Sequence, residues 1–369
     1  MICLPFTGLK LQSFKSSFEP STSCKTTTKD GKDSTSSVTP LRSQTRHALK
    51  MVKLRVATVQ EHFCSPLWQL SETEWGKNNI ELIWNNSGTG QMISSLDSSQ
   101  EGGRKIDVAV ALTEALVAGI AKGKKDYKLV GSYVRSPLNW AVITSTDEKA
   151  AKFQKIEDLK GATIGISRLG SGSQTMAFYM AMQQGWAPSD IGFKVNDTFE
   201  NLRKLSYENP FLWEWVTTLP YVHSGEVRYV GNVLTPWPSW SIAASTAVLA
   251  DGEQEYLLST FLEKLGASIA TFLNKDAVAQ QAPQEFVVDR FGYKPEDVET
   301  WFNSVRYVGD SRPDPADAKH VTGQNTTTST VSRNMLEVTL ETLEKAGAIA
   351  RPAEGFDAKD FVRPASLQE

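Results

Sequence analysis

The chain has 369 residues, of which 40% are hydrophobic and 22% charged, with a formal net charge of -3. That length leaves room for two domains at roughly 150 residues each, and the hydrophobic share suits an ordinary globular core. The charge balance gives no electrostatic case for nucleic acid or an anionic membrane surface. No run approaches the roughly 18 consecutive apolar residues of a membrane span.

The first 50 residues differ from the rest. They hold eight Lys/Arg against three Asp/Glu and carry seventeen Ser/Thr, so a basic leader precedes an acidic body. Such a segment buries too little surface to offset its chain entropy, and disorder is expected over 1–50. "MICLPFTGLKLQSF" is broken by Pro5, Gly8 and Lys10, which spoils the apolar core of a secretory signal. The basic Ser/Thr-rich composition leaves a mitochondrial presequence open, although Glu19, Asp30 and Asp33 argue against it. A dispensable tail, or a start codon placed upstream of Met51, is the competing reading. Cys3, Cys24 and Cys64 are few and unpatterned, and only Cys64 lies in the body, so a reducing compartment is expected. The cytoplasm is therefore the first expectation for location and the mitochondrion the second.

From residue 51 short β-branched runs alternate with helical patterns. "KLRVATVQ" (53–60) reads as a strand and "SPLWQLSETEWGKNN" (65–79) as one helix. "IELIWNN" is a strand, "TGQMISSL" opens a helix, "IDVAVAL" (106–112) is a strand, "TEALVAGIAKG" a helix, and "YKLVGSYV" and "NWAVITS" are strands. This is the βαβ rhythm of a parallel sheet covered by helices. Right-handed crossovers set the strand C-termini, and the loops after them, along the edge where open α/β sheets bind ligands.

After "TDEKAAKFQKIEDLKG" the rhythm restarts with strand "ATIGIS", helix "GSQTMAFYMAMQQGW", strand "IGFKVND", helix "FENLRKL", and strands "FLWEWV" and "VRYVGNVL". "WPSWSIAAS" (237–245) reads as a strand returning to the first block. Helices dominate after 250: Leu257, Phe261, Leu262, Leu265, Ile269, Phe272 and Leu273 share one helix face. "PEDVETWFNSV" and "SRNMLEVTLETLEKAG" continue the series, and 310–330 between them reads as loop. The expected fold class is α/β with two lobes, each a mostly parallel sheet flanked by helices. Residues 51–142 and 239–369 form lobe I and 143–238 lobe II, with two short hinge crossings near 141–146 and 235–241 and a cleft between the lobes.

One small-residue turn occurs twice. "NNSGTGQMISSL" (85–96) is echoed by "SRLGSGSQTMAF" (167–178), each after a strand and before a helix. A helix N-terminus leaves N–H groups unpaired and carries roughly half a positive charge, so a Gly/Ser turn there can hold a carboxylate, phosphate, sulfonate or carbonyl oxygen. The alternative is plain N-capping, in which the hydroxyls satisfy only their own helix. Neither turn is a phosphate-cradling or dinucleotide loop. Facing each other from two lobes, the pair would grip one small ligand from both sides.

"DLKGATIGIS" with its Gly-Ser turn, "IDVAVALTEALVAG" and "TPWPSWSIAAS" resemble the type II periplasmic-binding-protein-like superfamily over about residues 52–350. Within it, "RLGSGS", "LWEWVTTLPY" and "TPWPSW" resemble an intracellular fungal branch related to sulfonate/nitrate/taurine solute-binding proteins and to the thiamine-pyrimidine synthase group. The resemblance implies a periplasmic-binding-protein type II fold that closes on a small molecule. By position it implies a pocket drawn from Gln60, Glu61, His62 and Phe63, from Gly88, Thr89 and Gly90, and from Thr113 and Glu114. Lobe II would add Ser171, Gly172, Ser173, Trp213 and Glu214, and Trp237 would lie near the hinge. Here the link between the "NLR" helix and the "WE" strand is only "LSYENPF", shorter than is usual in that branch.

Glu61, Glu114, Glu214 and His62 beside two helix N-termini suit an anionic, zwitterionic or pyrimidine-like ligand, with tryptophans to stack on it. Equally, Glu61 and Glu114 can simply complement helix dipoles, and part of the set Trp213, Trp215, Trp237 and Trp240 can be core or hinge packing. Strand alternation in "FLWEWV" sets Trp213 and Trp215 on one face and Glu214 on the other. His47, His62, His223 and His320 show no metal-ligand spacing, and a Cys64–His62 nucleophile pair is disfavoured because adjacent loop residues seldom aim at each other. Binding without chemistry, and with no cofactor, is the first expectation. The alternative is an enzyme of thiamine-pyrimidine precursor metabolism, although the synthase group's cysteine cluster is missing.

Overall fold

In the first sheet the middle strand carries the sequence VAVAL, an unbroken apolar run whose first four residues are buried, as a central strand with both faces covered requires. The computed structural model describes residues 53–85, 88–97, 99, 102–315 and 325–369. The leader, Ser87 of the first turn and residues 316–324 of the expected loop lie outside the described residues. The described residues belong to one compact unit, 50–369.

In chain order the elements begin with β1 (Leu54–Thr58), a 3-10 turn (His62–Cys64), α1 (Ser65–Glu72), α2 (Glu74–Asn79), β2 (Ile80–Trp84), α3 (Thr89–Leu96), β3 (Val108–Leu112), α4 (Thr113–Ala121) and β4 (Tyr127–Val134). A second group follows: β5 (Asn139–Ser145), β6 (Thr163–Ile166), α5 (Gly172–Gln183), β7 (Gly192–Val195), α6 (Phe199–Lys204), β8 (Phe211–Glu214), α7 (Trp215–His223) and β9 (Val227–Leu234). The return comprises β10 (Trp240–Ser245), α8 (Thr246–Ala250), α9 (Gly252–Phe272), α10 (Lys275–Ala279), α11 (Ala282–Phe291) and α12 (Pro295–Ser304). The chain ends in β11 (Val331–Ser332), α13 (Arg333–Lys345), α14 (Ala358–Phe361) and β12 (Leu367–Gln368).

Two five-stranded sheets result, ordered β2-β1-β3-β10-β4 and β7-β6-β8-β5-β9, with β11 and β12 as a small parallel pair. β1 runs parallel to β2 and β3, and β6 parallel to β7 and β8. β10 is antiparallel to β3 and β4, and β5 is antiparallel to β8 and β9. In each sheet the reversed strand is the one that arrives directly from the other lobe. It therefore starts at the edge where its parallel neighbours end.

The chain leaves the first sheet through residues 135–138 and returns through 235–239. The two crossings are zipped to each other. Thr235 N–H donates to the Leu138 carbonyl (3.0 Å) and Leu138 N–H to Thr235 Oγ1 (2.9 Å), while Ser239 N–H and Oγ–H both reach the Ser136 carbonyl (3.1 and 2.9 Å). Elsewhere α5 of the second lobe packs on α4 and α13 of the first, and α7 packs on α12. There His223 Nε2 meets the buried Asp297 carboxylate at 2.9 Å.

Two local expectations are corrected. The helix expected over 65–79 is two helices broken at Thr73, whose backbone is extended (ψ 162°) and whose Oγ1 accepts from Gly76 N–H at 3.0 Å. "FLWEWV" is a strand only as far as Glu214. The chain turns there because the Glu214 carboxylate caps α7, accepting from Val216 N–H (3.0 Å) and from Thr217 N–H and Oγ1–H (2.8 Å each). The short link before β8 is a closed turn, in which Asn209 N–H donates to Leu205 O (3.0 Å) and Gly165 N–H to Pro210 O (2.8 Å).

Candidate functional site

A cavity of about 420 Å3 lies between the two sheets. Its walls come from the C-terminal edges of both. Val59 and Glu61 follow β1, Gly88–Gln91 and Ser94 follow β2, and Leu112 ends β3. From the second sheet come Ser167, Arg168 and Ser171–Ser173 after β6, Asp197–Phe199 after β7, and Trp213 and Glu214 at the end of β8. Leu138, Trp140 and Trp240 close it from the crossing and from the starts of the two reversed strands. Parallel βα units place their loops on one edge, so two such sheets set edge to edge make one pocket.

The two similar turns meet in this cavity, but their hydroxyls are used differently. Ser171 caps α5, accepting from Gln174 N–H (3.4 Å), and shares a hydrogen bond with Ser173 Oγ (2.9 Å). No side chain among the described residues caps α3. Its N-cap is Gly88 at φ 78°, in the left-handed region that glycine adopts freely, and Thr89 Oγ1 instead accepts from Leu112 N–H (3.2 Å). Gly90 serves a close approach. A Cβ there would stand 2.5 Å from the Arg168 Nε, so glycine lets a second-lobe guanidinium lie on the start of α3. Burial lowers the pKa of that guanidinium from its ordinary value.

Glu61 and Glu214 face the cavity from opposite lobes. Burial, and then the nearby charge of Glu214, push Glu61 up to about 8. Burial pushes Glu214 up to about 7 against the opposing pull of its capping hydrogen bonds. Aromatic faces complete the lining, and Phe199 stacks on Trp213 with ring centroids 4.7 Å apart. Asp197 holds φ 65°, an uncommon backbone conformation for a residue with a side chain.

Nine of the expected residues line the cavity: Glu61, Gly88, Thr89, Gly90, Ser171, Gly172, Ser173, Trp213 and Glu214. Trp213 and Glu214 share it, against strict alternation, because the strand ends between them and the helix. His62, Thr113, Glu114 and Trp237 stand behind the lining. His62 is fully buried among Phe63, Trp301 and Tyr293, and burial lowers it to about 3. Thr113 Oγ1 bonds Ser241 Oγ at 2.8 Å. Trp237 Nε1–H donates to the buried Glu114 Oε2 (3.0 Å), tying the return crossing to α4. Gln60 and Phe63 are likewise off the lining.

Arg168 stands inside the quoted "SRLGSGS" and was missed. It is the cation of the repeated turn, and that sign was the available signal. Trp140 and Trp240 read as strand residues, and only the reversed strand direction brings them to the cavity. Among the described residues no group of three His, Cys, Asp or Glu could hold a metal ion.

Solved structures share this fold. The conserved Candida albicans CA3427 gene product, described as exhibiting the generic periplasmic binding protein structural fold, superposes with a TM-score of 0.69 at 27% identity, over 86% of this chain and 96% of that one. The chain has a periplasmic-binding-protein-like fold. Residues 140–233, almost the whole second sheet, match the family model described as Ca3427-like PBP. The alkanesulfonate-binding protein SsuA from Xanthomonas axonopodis pv. citri, bound to MOPS, shares the fold at TM-score 0.60 and 18% identity, covering 87% of this chain and 99% of that one. The periplasmic nitrate-binding protein NrtA from Synechocystis PCC 6803 does so at 0.55 and 12%, covering 86% and 92%. No curated protein sequence matches the chain. This binding-protein fold carries no helix, among the described residues, long and apolar enough to cross a membrane.

Proposed function

We propose that the chain binds a small solute in the cavity between its lobes and that the lobes close around it. The observation that carries this reading is the lining itself, with Thr89 and Glu61 from one sheet and Ser173 and Glu214 from the other facing one space of about 420 Å3. A pocket of that size with aromatic walls and a few convergent polar groups is the usual form of a small-molecule site. The neighbours described as binding alkanesulfonate and nitrate support solute binding as the general role. Closure draws its free energy from tighter binding to the closed form than to the open one, and the zipped crossings at Ser136–Ser239 and Leu138–Thr235 supply the pivot.

The proposal includes no chemical step. Cys64 is buried off the cavity with its thiol pushed well above the ordinary range, and neither ring nitrogen of His62 has a hydrogen-bond partner. No thiolate–imidazole pair forms.

Thermal-shift screening of the full chain against a library of metabolite classes tests the reading. At least one class should raise the melting temperature, and small-angle scattering with that solute should give a smaller radius of gyration. Ser94→Trp, which fills the cavity from the half-buried Ser94 of α3, should abolish the shift. A library without any stabiliser, or a stabiliser indifferent to Ser94→Trp, would remove the cavity from the account.

A further inference from the structure

Resting on the solute-binding reading, we infer that Glu61 and Glu214 are the specificity residues of the cavity: they select a solute with a cationic nitrogen and exclude simple anions. Geometry carries the argument. The Glu61 carboxyl has no hydrogen bond or ion pair among the described residues, and it does not cap the 3-10 turn that it precedes. It faces the cavity with its bonding capacity unspent. Glu214, from the other lobe, is held in a fixed orientation by Val216 and Thr217, and its Oε1, which accepts only from Val216 N–H, keeps a further acceptor site. Trp140, Trp213, Trp240 and Phe199 add ring surfaces to the same space, and such surfaces attract a cation at close range.

The groups around the pair do not neutralise it by themselves. His62 Nε2 lies 3.9 Å from Glu214 Oε1, fully buried and without a hydrogen-bond partner, and its lowered pKa keeps it uncharged. The phenols of Tyr293 and Tyr229, whose titration feels Glu214, are held neutral by burial. Arg168 and Asp197 line the cavity as well, and Arg168 lies over Gly90 at the start of α3. Burial, with the charge of Glu214 at Glu61, keeps the empty pair partly protonated near neutral pH. An arriving cation favours the ionised pair and displaces a proton, whereas an anion favours the protonated pair. The two ligand classes therefore have opposite pH dependence.

The experiment is calorimetric titration of the full chain with benzylamine, phenylmethanesulfonate and benzyl alcohol, three probes with the same benzyl group, between pH 6 and 9. Benzylamine should bind with an affinity that rises by up to about tenfold per pH unit below pH 8 and then levels. Its heat should depend on the buffer's ionisation enthalpy in the sense of proton release. Glu61→Gln should remove the part of that rise between about pH 7 and 8, leaving the part that belongs to Glu214, and weaken benzylamine at least about tenfold at pH 8. The buffer dependence on the unaltered chain needs no variant. Phenylmethanesulfonate binding as tightly as benzylamine, or benzylamine binding without proton release or not binding at all, would overturn the inference. A library solute that is a simple anion and is blocked by Ser94→Trp would overturn it as well, while leaving solute binding intact.

Discussion

Glu61 shows how one side chain couples the cavity to stability. Its folded pKa is raised to about 8 from an ordinary 4.5, and that of Glu214 to about 7. A carboxyl raised in this way contributes its stability fully below the unfolded value and loses it as pH climbs through the folded one, because the unfolded chain then holds fewer protons. The fold should weaken between about pH 4.5 and 8 on account of this pair. Glu61→Gln removes one of the two titrations. Its melting temperature should match the parent's near pH 5 and exceed it by several degrees at pH 8. A variant that melts lower than the parent at pH 8 would contradict the unpartnered placement of Glu61. At this scale the sequence was informative where a residue's neighbours in the chain define its surroundings. Thr89 and Ser173 were placed in turns between a strand and a helix from pattern alone, whereas the strand-end position of Glu214 came from the resemblance to known folds. His62 was misplaced because a loop residue's direction depends on a turn that composition does not encode. Arg168 was missed because its partner surface, Gly90, lies 78 residues away in the chain.

At the scale of elements, hydrophobic spacing showed where helices and strands lie but not where they stop. Apolar positions continue through Thr73, so 65–79 reads as one helix, yet capping by Thr73 and the tight passage of Gly76 split it. A Cβ on Gly76 would collide with the Leu70 carbonyl oxygen. Gly76→Ala should therefore destabilise by about 2 kcal/mol or more in denaturant titration, although alanine is the better helix former by roughly 1 kcal/mol. A stabilised variant would show that the break between α1 and α2 is wrongly placed. The same limit hid α7. "FLWEWV" has strand composition throughout, and the turn at Glu214 comes from its carboxylate bonding two amides ahead of it, a contact that no periodicity reveals.

At the scale of the whole molecule the βαβ rhythm, its restart after residue 145 and the returning strand near 240 carried the two-sheet architecture. The strand order 2-1-3-10-4 follows once the return strand inserts beside β3, and long-range pairing of that kind is implied only by the resemblance to known folds, not by local pattern. The consequence for function is geometric. Each reversed strand starts where its neighbours end, so Leu138 of the outgoing crossing, Trp140 and Trp240 at the starts of the reversed strands, both small-residue turns and both acids converge on one space. Lobe contacts also form outside that space, such as His223 with Asp297 between α7 and α12.

The most direct measurement is native mass spectrometry of the full chain, purified gently and compared with Ser94→Trp prepared alongside it. The account predicts that the unaltered chain, as isolated or after exposure to a stabilising solute, carries one additional mass of small-molecule size. It also predicts that Ser94→Trp appears at the bare polypeptide mass. Bare polypeptide in both samples after that exposure, or an equal adduct on both, would contradict a solute site between the lobes.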